Sequence, residues 1–466
     1  MTYTARIPEA LGLRRSAARK ARVALATVLV AAGLVVPALA AGMVAPPAHA
    51  STNFTVTRID DRPDANPGDG ICSISTSGTF CTLRAAIQEA NATQGADAID
   101  FNINAAGGVA TIAPNSPLPE IIDQVTINGY SQPGAKENTL AQGTDAQPKI
   151  ELSGTNAGSA DGLQFDSFLG TRKASGSVVR GLVVNRFSRS GIVVRDVDNV
   201  RIEGNFVGTD PSGTLDRGNK GGGVEILEGA TFNTVGGLNT STNPAVRNLI
   251  SGNDLDGVRI HGFTSIGLKT TRNEVYGNLI GTKKDGVGAL GNAGSGVSVQ
   301  GSSSNRFGRQ GQSSSNTIAF NGQNGVSVAP ESGDPATGND IGANSLFSNA
   351  GLGIDLIQGA NAQQNKPVIT SAKNGGGKTT VKGTLSSLPN SFYVLFFYSN
   401  PSGTDEGKVY LGGMGVATDA SGNASFAFQP LSKVARGQTI TATVTSNASS
   451  NTDANSSELS APRTVR

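Results

Sequence analysis

Four residues in one short stretch have the types and spacing for chemistry: Asp254, Asp256, Arg259 and His261. Two carboxylates beside an arginine suit glycoside hydrolysis or lyase chemistry, in which one group gives a proton and another takes one. Val258 and Ile260 alternate with Arg259 and His261, so the polar pair should share the outer face of a strand whose apolar face points inward. Asp254 and Asp256 fall in the turn just before it. The same residues are explained as well by turn and surface chemistry, since Asp256-Gly257 is an ordinary turn pair and outward strand positions are polar. His261 is expected to be an outward-facing strand residue. No His/Cys set has metal-ligand spacing. Tryptophan is absent, and Tyr130, Tyr276 and Phe187 are scattered, which leaves little aromatic surface for stacking sugars. The expectation is no catalytic, cofactor-binding or metal-binding residue, with a polysaccharide lyase or glycosidase acting on an acidic glycan as the alternative.

The elements that position these residues are set by a repeat. Asn205, Gly208, Thr209, Gly213, Gly218, Asn219, Gly223 and Val224 each recur after 73 positions, at Asn278 to Val297. A fixed period in a Gly/Asn-rich chain marks a stacked repeat. Two sub-motifs recur within it. One is Asn-x-(Ile/Val)-x-x-Asn, as in Asn248/Ile250/Asn253 and Asn316/Ile318/Asn321; the other is Gly-Val-x-(Ile/Val), as in Gly223-Val224/Ile226 and Gly257-Val258/Ile260. Both alternate, so one face points inward. Glycine and asparagine suit the corners, and equivalent asparagines of successive coils can bond as a ladder. Strand-like runs include Ala98–Ile103, Ser177–Val184 and Val200–Val207, with no helix-period segment between them. The spacing of the closing asparagines predicts a coil of about 24 residues, three coils per 73-residue period, and about eleven coils making a rod of roughly 50 Å.

Composition bounds the class. Glycine at 62 residues and charged residues at 15% speak against a helical protein. Residues 1–50 read as an export signal. Arg14, Arg15, Arg19, Lys20 and Arg22 form a basic head, Val23–Val36 an apolar run, and Ala48-His49-Ala50 a small-x-small cleavage pattern, so the mature chain is expected to begin at Ser51. An uncleaved membrane anchor and a twin-arginine signal are the alternatives. Removing that segment takes six basic residues and one acid from totals of 37 and 35, leaving a net charge of −3. No Lys/Arg cluster remains to track a phosphate backbone, which argues against nucleic acid as a partner. An extended polysaccharide or a cell-surface component is the expected partner, through a long regular face. The expected location is secreted or at the cell surface, with membrane contact only through the signal if it is uncleaved.

Cys72 and Cys81 are the only cysteines. In an exported chain this isolated pair reads as a disulfide, and the spacing is not that of a catalytic Cys-x-x-Cys. Thr82 offers a helix N-cap, and Leu83, Ala86, Ile87 and Ala90 form one apolar stripe, which suits a short helix covering the open end of a strand stack. Asp60, Asp61, Asp64, Asn66 and Asp69 crowd hard oxygen ligands into one loop, so calcium is weighed there against a plain solvated turn.

The run Asp64 to Cys72, followed by Cys81-Thr82-Leu83-Arg84-Ala85-Ala86-Ile87 and Ala90-Asn91, resembles the CSLREA domain that heads many exported bacterial β-helix proteins. Here Thr82 and Ala85 replace the motif's Ser and Glu. The resemblance implies an exported surface protein and carries no activity. The repeat string Gly-Asn-(Leu/Phe)-(Ile/Val)-Gly-Thr is similar to the β-helix repeats that follow such modules, which implies a right-handed parallel β-helix of pectin-lyase-like fold. After Lys366-Pro367, alternating runs from Val368 to Ser446 predict a small Ig-like β-sandwich, and Asn447–Ser460 reads as polar and extended. The expected organisation is all-β: signal 1–50, CSLREA-like cap 51–97, β-helix 98–360 and sandwich 366–466.

Overall fold

The computed structural model describes residues 51–466 except 77, 79, 107, 168–170, 172–173, 239, 263–266, 310–313, 332 and 447–453. The signal reading of 1–50 lies outside the described residues. Three parallel sheets run side by side through the first three-quarters of the chain. The first has nine strands, from Asn53–Val56 to Asp340–Ile341; the second has eight, from Ala110–Ile112 to Ser345–Phe347; the third has seven, from Leu163–Asp166 to Ile354–Leu356. Successive strands of one coil go to successive sheets, and each strand pairs in parallel with its equivalents one coil before and after. This is a parallel β-helix.

Alternation turns one side chain in two inward, and in-register pairing stacks like on like. In the first sheet Ile127, Val179, Ile202, Val235, Val275, Phe307 and Ile341 lie one above another, and all are buried. Burying such a side chain contributes roughly 1.5–3 kcal/mol each. The runs read as single strands at Ser177–Val184 and Val200–Val207 are each two strands bent at a corner, Val178–Arg180 then Leu182–Asn185, and Arg201–Glu203 then Phe206–Val207. Gly181 makes the first corner at φ +72°, and a Cβ there would lie 2.6 Å from the Tyr130 ring.

The corners carry three asparagine ladders. The first is Asn205, Asn248, Asn278, Asn316 and Asn344. The second is Asn219, Asn253, Asn292, Asn321 and Asn349. The third begins at Asn233 and continues through Asn273, Asn305 and Asn339 to Asn361. Most rung amides donate twice, as Asn278 Nδ2 does to Asn316 Oδ1 at 3.0 Å and to the Val235 carbonyl at 2.9 Å.

These ladders correct the coil length. Asn205 and Asn248 are 43 residues apart, and Asn248 and Asn278 are 30 apart, so the 73-residue period is two coils and not three. The 24-residue estimate compared asparagines from different corners, because Asn-x-Ile-x-x-Asn is one strand between two corners. The nine-strand sheet spans roughly 40 Å at the usual strand spacing, not 50 Å.

The helix Leu83–Ala92 begins at Thr82, whose hydroxyl accepts from the Ala85 amide. Its buried stripe Leu83, Ala86, Ile87 and Ala90 joins the core at the first coils. Cys72 and Cys81 form a disulfide, with Cα atoms 5.2 Å apart. At the other end, Val368–Gly375, Lys378–Ser386 and Asn423–Phe428 form one antiparallel sheet. Phe392–Asn400, Val409–Ala417, Thr439–Ser446 and Arg463–Thr464 form a second, packed on the first around Phe397, Phe426 and Phe428. The architecture is an Ig-like sandwich. Part of the segment read as extended is buried: the Ser456 hydroxyl accepts from the Ile341 amide, and Glu458 accepts from that of Leu356, so the last coil finds its partners there.

Candidate functional site on the third sheet

The outer face of the third sheet carries two rows. The x positions of Gly-Val-x-(Ile/Val) align in register as Glu225, Arg259, Ser298 and Ser327, preceded by Gln164 and Val193 and followed by Asp355. Two positions along each strand lie Asp166, Arg195, Leu227, His261, Gln300 and Ala329.

Of the four residues singled out by spacing, three stay together. Asp254 turns away to pair with Lys220 at 2.7 Å, and both side chains are exposed. Asp256 accepts from the Ser295 amide at 2.8 Å, and burial pushes its carboxyl above the usual range, against the pull of Arg259. Arg259 Nη2 lies 3.0 Å from His261 Nδ1 and 3.4 Å from Gln300 Oε1. A guanidinium only donates, so Nδ1 accepts and the ring proton sits on Nε2, which donates to Glu331. Burial and then Arg259 push the His261 pKa down, with Glu331 opposing. His261 does leave the sheet on its outer side, but it is only 6% exposed because Glu331, from a loop two coils on, covers it. It is thus an outward-facing strand residue, as expected, but one buried under Glu331.

Glu225 completes the cluster. It stands beside Arg259 in register and bonds the Ser190 side chain, and burial pushes its pKa up. Its alignment was available in the repeat motif; the contact of Glu331 with a residue 70 positions earlier was not. Two partly buried carboxyls thus flank one guanidinium and one neutral imidazole. Such a face offers donors and acceptors to hydroxyl-rich ligands.

The acidic loop is committed elsewhere. Asp61 makes a two-pronged pair with Arg84, both contacts at 2.9 Å. Asp60 pairs with Arg58 and Arg62, Asp64 accepts from the Asn66 and Ser73 amides, and Asp69 accepts from Ile71. Among the described residues no group of three His, Cys, Asp or Glu is placed to hold a metal.

Fold and face together define a parallel β-helix protein with a polar outer strip and a terminal β-sandwich. No family model matches the sequence, and no curated protein matches it. Among solved structures the chain is similar to the periplasmic alginate epimerase AlgG, at 15% identity and TM-score 0.27 over 57% of this chain and 66% of that one. It is similar to the A-module of the Azotobacter vinelandii mannuronan C-5 epimerase AlgE4, at 14% identity and TM-score 0.23 over 63% of this chain and 96% of that one. It is also similar to tailspike protein 2 from the Escherichia coli O157:H7 bacteriophage CAB120, at 10% identity and TM-score 0.21 over 87% of this chain and 56% of that one. The chain spans just under two-thirds of the AlgG chain and just over half of the tailspike. At this level of likeness the fold rests on the strand topology itself.

Proposed function

We propose that this is an exported cell-surface or extracellular protein that binds an extended polysaccharide along the outer face of the third sheet without turning it over. The observation that carries the reading is the largely polar outer face of the seven-strand third sheet, interrupted at Val193, Leu227 and Ala329. Its side chains repeat at the strand spacing of about 4.8 Å, close to the length of one pyranose unit, so an extended sugar chain meets one strand per sugar. The disulfide supports an oxidising compartment. The capped helix, the disulfide and the Arg84–Asp61 pair support reading the leading segment as a CSLREA-type module. The second reading, a lyase or hydrolase, is favoured by one observation, the upward-shifted Glu225 and Asp256 beside Arg259.

A glycan array, run beside reducing-sugar and unsaturated-product assays, separates them. Binding that is lost in Arg259→Gln, with no product formed, supports the first reading. Product that disappears in Asp256→Asn or Glu225→Gln replaces it with the second. An array with no polysaccharide bound rejects both.

A further inference from the structure

A second site lies away from the third sheet. The 73-residue echo builds two small hairpins, closed by Thr209 with Asp216 and by Thr282 with Ala289, on equivalent corners two coils apart. A third segment, Thr139–Ala146, reaches along the stack to meet them. Its Thr144 amide donates to the Lys284 carbonyl at 2.7 Å, and the Lys284 amide donates to the Gly213 carbonyl at 3.0 Å. Beneath it, the buried Arg247 guanidinium donates to the carbonyls of Leu140, Ala141, Gly143 and Gly277 and holds the segment down. These three segments frame an open groove of about 720 Å³, within the range of ligand sites.

The lining has a distinct chemistry. Val109 and Leu140 are 36% and 45% exposed and, with Pro211, give it an apolar surface. Its two carboxylates are engaged in their own turns: Asp145 accepts from the Thr139 amide and hydroxyl, and Asp285 from the Val287 and Gly288 amides. Lys149 and Lys284 also line it, and neither ammonium has an ion-pair or hydrogen-bond partner among the described residues. We infer that this groove binds a short stretch of an acidic polysaccharide, with sugar rings lying on Leu140, Val109 and Pro211 and anionic groups paired to Lys149 and Lys284. An acidic peptide is disfavoured because rim backbone groups at Thr144, Lys284 and Gly213 already bond one another, which limits strand-like pairing. The inference is separate from the third-sheet reading and uses none of its residues.

The test is calorimetric titration of the protein with four probes: a galacturonate hexamer, a chondroitin sulfate hexamer, neutral cellohexaose and an octaglutamate peptide. At least one acidic hexamer should bind, more weakly as salt rises, and Lys149→Ala/Lys284→Ala should weaken it at least tenfold while Lys378→Ala, on the distant sandwich hairpin, leaves it unchanged. Galacturonate binding alone identifies carboxylate as the recognised group, and chondroitin sulfate binding alone identifies sulfate. Unchanged affinity in the double variant, equal binding of cellohexaose or octaglutamate, or binding of no acidic hexamer overturns the inference. Loss of hexamer binding in Arg259→Gln but not in the lysine variant also overturns it, and leaves the third-sheet reading standing.

Discussion

Asp340 is the residue at which pH meets stability. Its carboxyl lies on the first sheet against the Ser456 hydroxyl, and burial pushes its pKa up to about 6 despite Arg306 and Arg309 nearby. The unfolded chain releases this proton near the ordinary aspartate value of 3.8, so between there and about 6 the folded state holds more protons and stability falls as pH rises. Asp340→Asn should remove that slope and stabilise the protein by about 2–3 kcal/mol at pH 7, while changing little at pH 3.5. Melting temperatures of both proteins across that range check it; parallel curves would refute the assignment. At the candidate site, Arg259 and His261 were legible because strand alternation places them, Asp256 because it falls in the turn just before, and Glu225 was implicit in the aligned motif. Glu331 was not, because a loop crossing two coils has no periodic signature.

At the scale of elements, the asparagine ladders make rungs unequal. Asn278 lies mid-ladder with partners on both sides, so Asn278→Ala leaves the buried Asn248 backbone amide without its partner and takes one bond each from Asn248 Nδ2, Asn316 Oδ1 and the Val235 carbonyl. It should cost about 2–4 kcal/mol, counting one unsatisfied buried amide and the three further bonds lost. Glu406 of the sandwich sits at a ladder end, where its two carboxylate oxygens accept from the Asn349 amide and side chain at 3.1 and 2.8 Å. Glu406→Ala should cost less, about 1–2 kcal/mol, since water can reach an end rung. Denaturant titration of both variants checks the order, and a costlier Glu406→Ala would contradict the ladder account. The presence of ladders was readable from recurring asparagines. Their number was not, because a six-residue motif that bridges two corners looks the same as one that returns to the same corner.

For the whole of the described unit, the governing fact is that a strand stack has two raw ends. The helix Leu83–Ala92 covers the first. The backbone bridge from Leu346 to Gly407 and the Leu459 side chain meet the second. Deleting Cys72–Asn91 should expose the first coils and cause aggregation, which light scattering would detect; a soluble, monomeric deletion would argue against capping. The existence of a cap was legible in the Thr82 N-cap and the apolar stripe. The part that Ser456 to Leu459 play at the far end was not, because that run is too short and too polar to stand out as core.

The ladders also make length a variable that the chain can change in whole steps. Because the period is two coils, the 73 residues from Phe206 to Asn278 can be cut out and Asn205 joined to Leu279 with each remaining strand still meeting an equivalent partner. Nearest-neighbour stacking asks nothing more of a coil than a matching coil above and below. The shortened protein should remain folded, with cooperative unfolding and a strand-dominated circular dichroism spectrum, and it should lose the two-hairpin groove. The molecule is in this sense a ruler with graduations cut into its own sequence, one that duplication or loss of a segment could lengthen or shorten without redesigning either end.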